Sequence, residues 1–139
     1  MIRLGNFWLG TQTSLDEVLM ANARYLDDPS KYPPQASGKL KLYSDDQEDE
    51  ESEDYAVDSR IQIHEGVGIL QISGSLVPEE SWLDDYFGLT SYPVIARGVT
   101  KLAKMQAEGE IHSIIHAFST SGGDASGING LTEVMLGAR

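Results

Sequence analysis

Apolar residues recur at helical spacing between residues 12 and 26, where Leu15, Val18, Leu19 and Leu26 share one face and Ser14-x-x-Glu17 has the form of a capping box. Asp27-Asp28-Pro29 ends that helix. Periodicity is then lost until Arg60, where Arg60-Ile61-Gln62-Ile63-His64 alternates like a half-buried strand. A second, more apolar strand covers Val67 to Ser73, and Glu65-Gly66 between the two suits a tight turn. Gly74 closes it, and a polar and aromatic loop spans Ser75 to Tyr92. Ser91 or Thr90 then caps a helix opening at Pro93, with Ile95, Val99, Leu102 and Met105 along one side and Gly109 at its end. Residues 111–118 form a buried strand that breaks at Gly122-Gly123 and re-enters a helix from Ile128 to Met135. This βαβα order predicts an α/β fold with a parallel sheet and helices packed on it.

Charge changes the picture in one place. The net charge is −12, but nine of the 22 acids lie between Ser44 and Asp58 with no Lys or Arg among them. The other 13 acids against 10 bases leave −3, an ordinary surface balance. Residues 29–58, with their prolines, Ser37-Gly38 and the acidic run, are expected to form a flexible acidic linker, since such a stretch buries too little apolar surface to fix its backbone. The organisation expected is an N-terminal helical segment over 1–28, that linker, and a domain over 59–139. No basic patch is present to displace counterions, so nucleic acid is not an expected partner. The apolar runs fall short of the ~20 residues that span a bilayer, so no membrane is expected either. There is no cysteine, which excludes disulfides, thiolate zinc sites and a cysteine nucleophile.

The chemistry concentrates at Ser119-Thr-Ser-Gly-Gly-Asp124. At a strand end, paired glycines adopt backbone conformations other residues avoid and leave their N–H groups unshielded. The helix that follows adds its positive end. Gly122 and Gly123 are therefore candidate oxyanion-hole donors.

Three phrases together resemble the serine peptidases of the signal peptide peptidase A (protease IV) family, most closely the phage capsid-maturation branch. Val67-Gly-Ile-Leu-Gln-Ile-Ser-Gly-Ser-Leu-Val77 resembles the family's opening strand, and Gly88-Leu-Thr-Ser-Tyr92 the phrase that starts its first helix. Ser119-Thr-Ser-Gly-Gly-Asp124 stands where the family has Asp-Ser-Pro-Gly-Gly-Glu or a close variant, with Ser119 for the aspartate and Ser121 for the proline. The resemblance implies ClpP/crotonase-like ββα units, incomplete at the C-terminus, and oligomeric assembly. It implies peptide hydrolysis by a Ser/Lys dyad without a cofactor, with Gly122 and Gly123 holding the oxyanion. In the family both serine and lysine follow the glycine loop and its helix, so no catalytic residue is assigned here and this chain is expected to be an N-terminal portion, inactive alone. Capsid or scaffold proteins are the implied substrates, and a bacterial host's cytoplasm or a phage procapsid the implied location.

Two other classes share these residues. Phe118-Ser-Thr-Ser-Gly-Gly-Asp124 also resembles the crotonase phrase, which implies an acyl-CoA enzyme, and a non-catalytic capsid-assembly or scaffold-associated protein is the third. Ser126 is expected to cap the last helix. His112 and His116, on one face of a strand, are expected to be packed or hydrogen-bonded, and no metal site is assigned. Lys101 and Lys104 are expected to be solvated, and Trp82, Tyr86 and Phe87 to form a loop cap over the core.

Overall fold

The computed structural model describes residues 1, 2, 5, 7–33 and 54–138. In chain order they form β1 (Trp8–Gly10), α1 (Gln12–Asp27), α2 (Tyr55–Asp58), β2 (Ile61–His64), β3 (Val67–Ser73), β4 (Leu76–Val77), α3 (Leu83–Phe87), β5 (Thr90–Ser91), α4 (Tyr92–Ala107), β6 (Ser113–Ser119), β7 (Gly122–Asp124) and α5 (Ile128–Gly137). The architecture is mixed α/β, as the periodicity predicts. Instead of one parallel sheet, however, it has two mixed ones, ordered β2-β3-β6 and β1-β7-β4-β5.

The alternation along β3 builds the first sheet. Gly68, Leu70 and Ile72 are buried, while Gln71 and Ser73 are exposed. The antiparallel β2–β3 hairpin turns at Glu65 and Gly66, whose φ values of 49° and 76° are what a two-residue hairpin turn requires. β6 pairs with β3 in parallel, in register from Val67 opposite Ser113 to Ser73 opposite Ser119. Ile111, expected to open that strand, instead sits in the core, and the His112 N–H closes the end by donating to the Gly66 carbonyl at 2.8 Å.

α4 lies on this sheet through the apolar stripe read from the sequence, with Ile95, Val99 and Leu102 fully buried against Leu70 and Ile72. Large and small residues alternate across the contact. A Cβ on Gly98 would meet Leu70 at 2.7 Å, and one on Gly68 would meet Leu102 at the same distance. Tyr92, Ile111 and Leu131 complete this core.

The second sheet comes from segments too short to show a period. The stretch from Ser75 to Tyr92, expected as a loop, contains β4, α3 and β5. β4 pairs in parallel with both β5 and β7, and β1 runs antiparallel along the other edge of β7. A second core lies beside it, made by Ile2, Val18, Ala21, Val77, Leu83 and Leu89. The N-terminal segment thus shares a core with the 75–92 stretch. α1 differs in phase from the expected helix: Ser14, Val18 and Ala21 are buried, whereas Leu19 is 50% and Leu26 63% exposed. Its cap is Thr11 rather than Ser14. The Thr11 hydroxyl accepts the Ser14 N–H at 3.1 Å while Ser14 Oγ donates to the Thr11 carbonyl at 2.8 Å, so Ser14 is buried with its hydroxyl satisfied.

Of the expected linker, residues 34–53 lie outside the described residues, and the two ends are packed. Pro29–Lys31 is a 3₁₀ turn, followed by Tyr32 against Tyr86 and Phe87. α2 buries Val57 and docks on α4 through Arg97, which binds Asp54 at 2.6 Å and Glu80 at 2.8 Å, and through Lys101, which binds Asp58 at 2.6 Å. Among the described residues, no helix is long and apolar enough to cross a membrane.

Candidate functional site

β3 and β6 end side by side, and their following loops are stitched together. The Gly74 N–H donates to the Ser119 carbonyl at 3.1 Å, and Thr120 Oγ1 donates back to the Gly74 carbonyl at 2.5 Å. Gly74 has a φ of 74°, and a Cβ there would lie 1.8 Å from the Gly88 carbonyl oxygen, so the 88–92 segment packs directly on it. That segment is bound by its own residues: the Thr90 N–H donates to the Ser75 carbonyl at 3.1 Å, Thr90 Oγ1 donates to the Ser73 carbonyl at 2.6 Å, and the Tyr92 hydroxyl donates to the Asp124 carbonyl. Leu76 pairs with Thr90 on one side and Gly123 on the other. Residues 73–77, 88–92 and 119–124 therefore form one node at the ends of two parallel strands, where α/β proteins commonly place ligands.

Gly122 and Gly123 lie within β7 at the centre of this node. Gly122 has a φ of 99°, and a Cβ there would fall 2.2 Å from the Leu9 carbonyl oxygen. On Gly123 a Cβ would fall 2.2 Å from the Leu76 oxygen and 2.6 Å from its nitrogen. Close approach of backbone on both sides thus requires glycine at these positions. The Gly122 N–H, one of the two expected oxyanion donors, is held by Thr120 Oγ1 at 3.1 Å.

Asp124 is buried, and its carboxylate is satisfied by main chain alone: one oxygen accepts the Ser126 N–H at 2.8 Å, the other accepts the Gly5 N–H. It ties the N-terminal segment to the turn that leads into α5. This corrects the expectation for Ser126. Asp124 supplies the side-chain cap of the 3₁₀ turn Ala125–Gly127, and Gly127 is the N-cap residue of α5. Tyr92, beneath the node, has its phenol pKa raised by burial and then by the negative charge of Asp124. Thr120 and Asp124 are two further side chains that bind main chain at and beside the node. Small polar residues flanking a glycine pair, which readily bond nearby main chain, were the available signal. Tyr92 ends the Gly88-Leu-Thr-Ser-Tyr92 phrase, but its bond to the Asp124 carbonyl follows only from the fold.

The other candidates lie elsewhere. Lys101 pairs with Asp58, and Lys104 stands 4.0 Å from Glu108 on α4. His112 precedes β6 and shares a 2.8 Å hydrogen bond with Ser113. His116, on β6, lines a groove of about 440 Å³ with Val99, Gln106, Ile114, Thr132 and Met135. Its buried Nε2 has no hydrogen-bond partner among the described residues, and burial lowers its pKa, favouring the neutral ring. No group of three His, Cys, Asp or Glu side chains is placed to hold a metal ion among the described residues. Tyr86, edge-on to Tyr32 at 5.5 Å, and Phe87, also against Tyr32, pack on the second core as expected, whereas Trp82 is exposed and meets Tyr25, edge-on at 6.1 Å. Beneath them Asp84 is buried with Oδ1 unpartnered among the described residues; desolvation first, then the repulsion of Glu80 and Asp85, pushes its pKa up to about 6.

Comparison with protein-family models, curated proteins and solved structures finds no match for this chain.

Proposed function

We propose that this chain supplies the oxyanion-loop portion of a Ser/Lys-dyad endopeptidase of the kind that matures phage capsids, built on ClpP/crotonase-like ββα units. One observation carries the reading: the three sequence phrases that resemble the family, separated along the chain, meet in a single hydrogen-bonded node around Gly122 and Gly123. Unrelated phrases would have no reason to converge on the glycine pair. The substrate is an extended segment of a capsid or scaffold protein, the enzyme acts as a homo-oligomer, and no cofactor takes part.

In this reaction the serine and lysine come from polypeptide other than the described residues. The lysine takes the serine proton as the serine attacks the scissile carbonyl, and charge develops on that carbonyl oxygen. Main-chain N–H groups of the glycine pair then stabilise it, and the start of α5 adds the positive end of its dipole. For the Gly122 amide to serve, the Thr120 hydroxyl must yield it, which costs little because Thr120 keeps its bond to the Gly74 carbonyl.

The test is reconstitution. The purified chain is mixed with the polypeptide encoded immediately downstream of it and offered a capsid-type substrate. Cleavage by the pair and by neither component alone is the expected outcome. A pair that leaves the substrate intact overturns the proposal.

A further inference from the structure

We infer that β1 is a tethered substrate mimic, occupying the edge of the glycine strand that an extended peptide must use. The inference rests on the peptidase reading above and names how that site is regulated. β7 has two edges, and one is closed by β4. The other carries β1, antiparallel, with Trp8 opposite Asp124, Leu9 opposite Gly123 and Gly10 opposite Gly122. The approach is close enough that a Cβ on Gly122 would lie 2.2 Å from the Leu9 carbonyl oxygen and 2.5 Å from Gly10 Cα. The Leu9–Gly10 peptide unit thus lies across the glycine pair, where the scissile unit of a substrate belongs.

β1 is held there in a way that a second peptide could copy. Leu9 is 67% exposed, as is Phe7 just before the strand at 73%, so of the side chains of β1 only Trp8, half-buried against the second core, gains from the position. The attachments are main-chain ones: the Thr11 N–H to the Ser121 carbonyl at 3.0 Å, the Ala125 N–H to the Phe7 carbonyl at 2.8 Å, and the Gly5 N–H to the Asp124 carboxylate. Strand addition of this type takes its affinity from the backbone and its selectivity from side-chain pockets. Gly10 supplies the selective element. A Cβ there would lie within 2.9 Å of Ser14 Oγ, the Gly123 nitrogen and Trp8 Nε1, so the register demands glycine opposite Gly122. Once displaced, β1 stays within reach, because Ile2 is buried and exchanges two hydrogen bonds with Asn22 of α1, at 2.8 and 2.9 Å. An intramolecular competitor of this kind acts at high effective concentration and raises the apparent KM.

The test adds a synthetic peptide spanning residues 5–11 to the intact chain and follows backbone amide exchange. Residues 8–10 are expected to lose protection as the peptide saturates, while 122–124 keep theirs. Gly10→Val, which crowds β1 against the Gly123 nitrogen and leaves the sequence of β7 unchanged, should bind the peptide at least tenfold more tightly than the unaltered chain. Peptide that fails to bind, or that binds while β1 stays protected, overturns the inference on the unaltered chain, whatever Gly10→Val does to folding. Reconstituted cleavage separates the two proposals. Displacement of β1 without cleavage by the pair leaves β1 an exchangeable edge strand and removes the peptidase reading, and with it the substrate that β1 would mimic; cleavage with the same KM for the unaltered and Gly10→Val chains, and no displacement, keeps the peptidase reading and removes the mimic.

Discussion

The two sheets are stabilised in opposite ways. In β2-β3-β6, strands of four to seven residues present side chains to α4, and the contact is filled by Leu70, Ile72, Val99 and Leu102. In β1-β7-β4-β5, strands of two or three residues present mainly backbone, and its central strand contains two glycines whose missing side chains let neighbouring chains approach. The first sheet is most sensitive to what is taken away, since an atom added at Gly68 meets side chains; the second is most sensitive to what is added, since an atom added at Gly122 or Gly123 meets backbone. A site that depends on main-chain N–H groups belongs in the second kind, because side chains would stand between those groups and a ligand.

The sharpest way to break the comparison is to add atoms to β7. Gly123→Val places its Cβ against both the oxygen and the nitrogen of Leu76, and neither can retreat without separating β4 from β7. A loss of ~4 kcal/mol is expected, above the usual range for overpacking, read by chemical denaturation. Leu70→Ala tests the first sheet by subtraction. Leu70 is fully buried against Gly98, and the cavity left should cost ~3 kcal/mol in the same measurement. If Gly123→Val proves milder than Leu70→Ala, the contrast between the sheets fails.

Asp84→Asn probes the second core by charge. The Asp84 pKa in the fold, about 6, lies above its ordinary value of 3.8, so the folded state holds the proton more tightly and this group's favourable contribution is lost as pH rises through 6. The amide should stabilise the protein by ~2 kcal/mol at pH 7 and remove the gain in melting temperature that this carboxyl is expected to give the unaltered chain between pH 7 and pH 4. The smallest effect is expected from Arg97→Ala. Its carboxylate partners are partly exposed, so the loss should be below ~1 kcal/mol and should vanish in 1 M salt, seen as convergence of the two melting temperatures.

The difference between the sheets also explains what the sequence disclosed. The Glu65-Gly66 turn, the alternation of β3 and the stripe of α4 were legible because each is a periodic or local property of side chains. β1, β4 and β5 were not, since a strand of two or three residues is defined by the chain that pairs with it. In α1 the apolar count misled: Leu19 and Leu26 favour helix without being buried, while Ser14 is buried because its hydroxyl bonds within its own turn. The glycine pair was legible as an unusual backbone position. That its neighbours are Leu9 and Leu76 follows only from tertiary pairing, and the capping by Asp124 rather than Ser126 from a bond two residues further along the chain.

The chain has two tryptophans, and they stand in different places. Trp82 rests edge-on against Tyr25 in the aromatic cluster, whereas Trp8 belongs to β1 and reaches the Thr11 carbonyl with its indole N–H at 3.3 Å. Their emission spectra therefore report separate events. With Trp82→Phe, the remaining indole becomes a native optical probe of whether β1 is seated, readable on the millisecond scale of a stopped-flow mixer and requiring no attached dye.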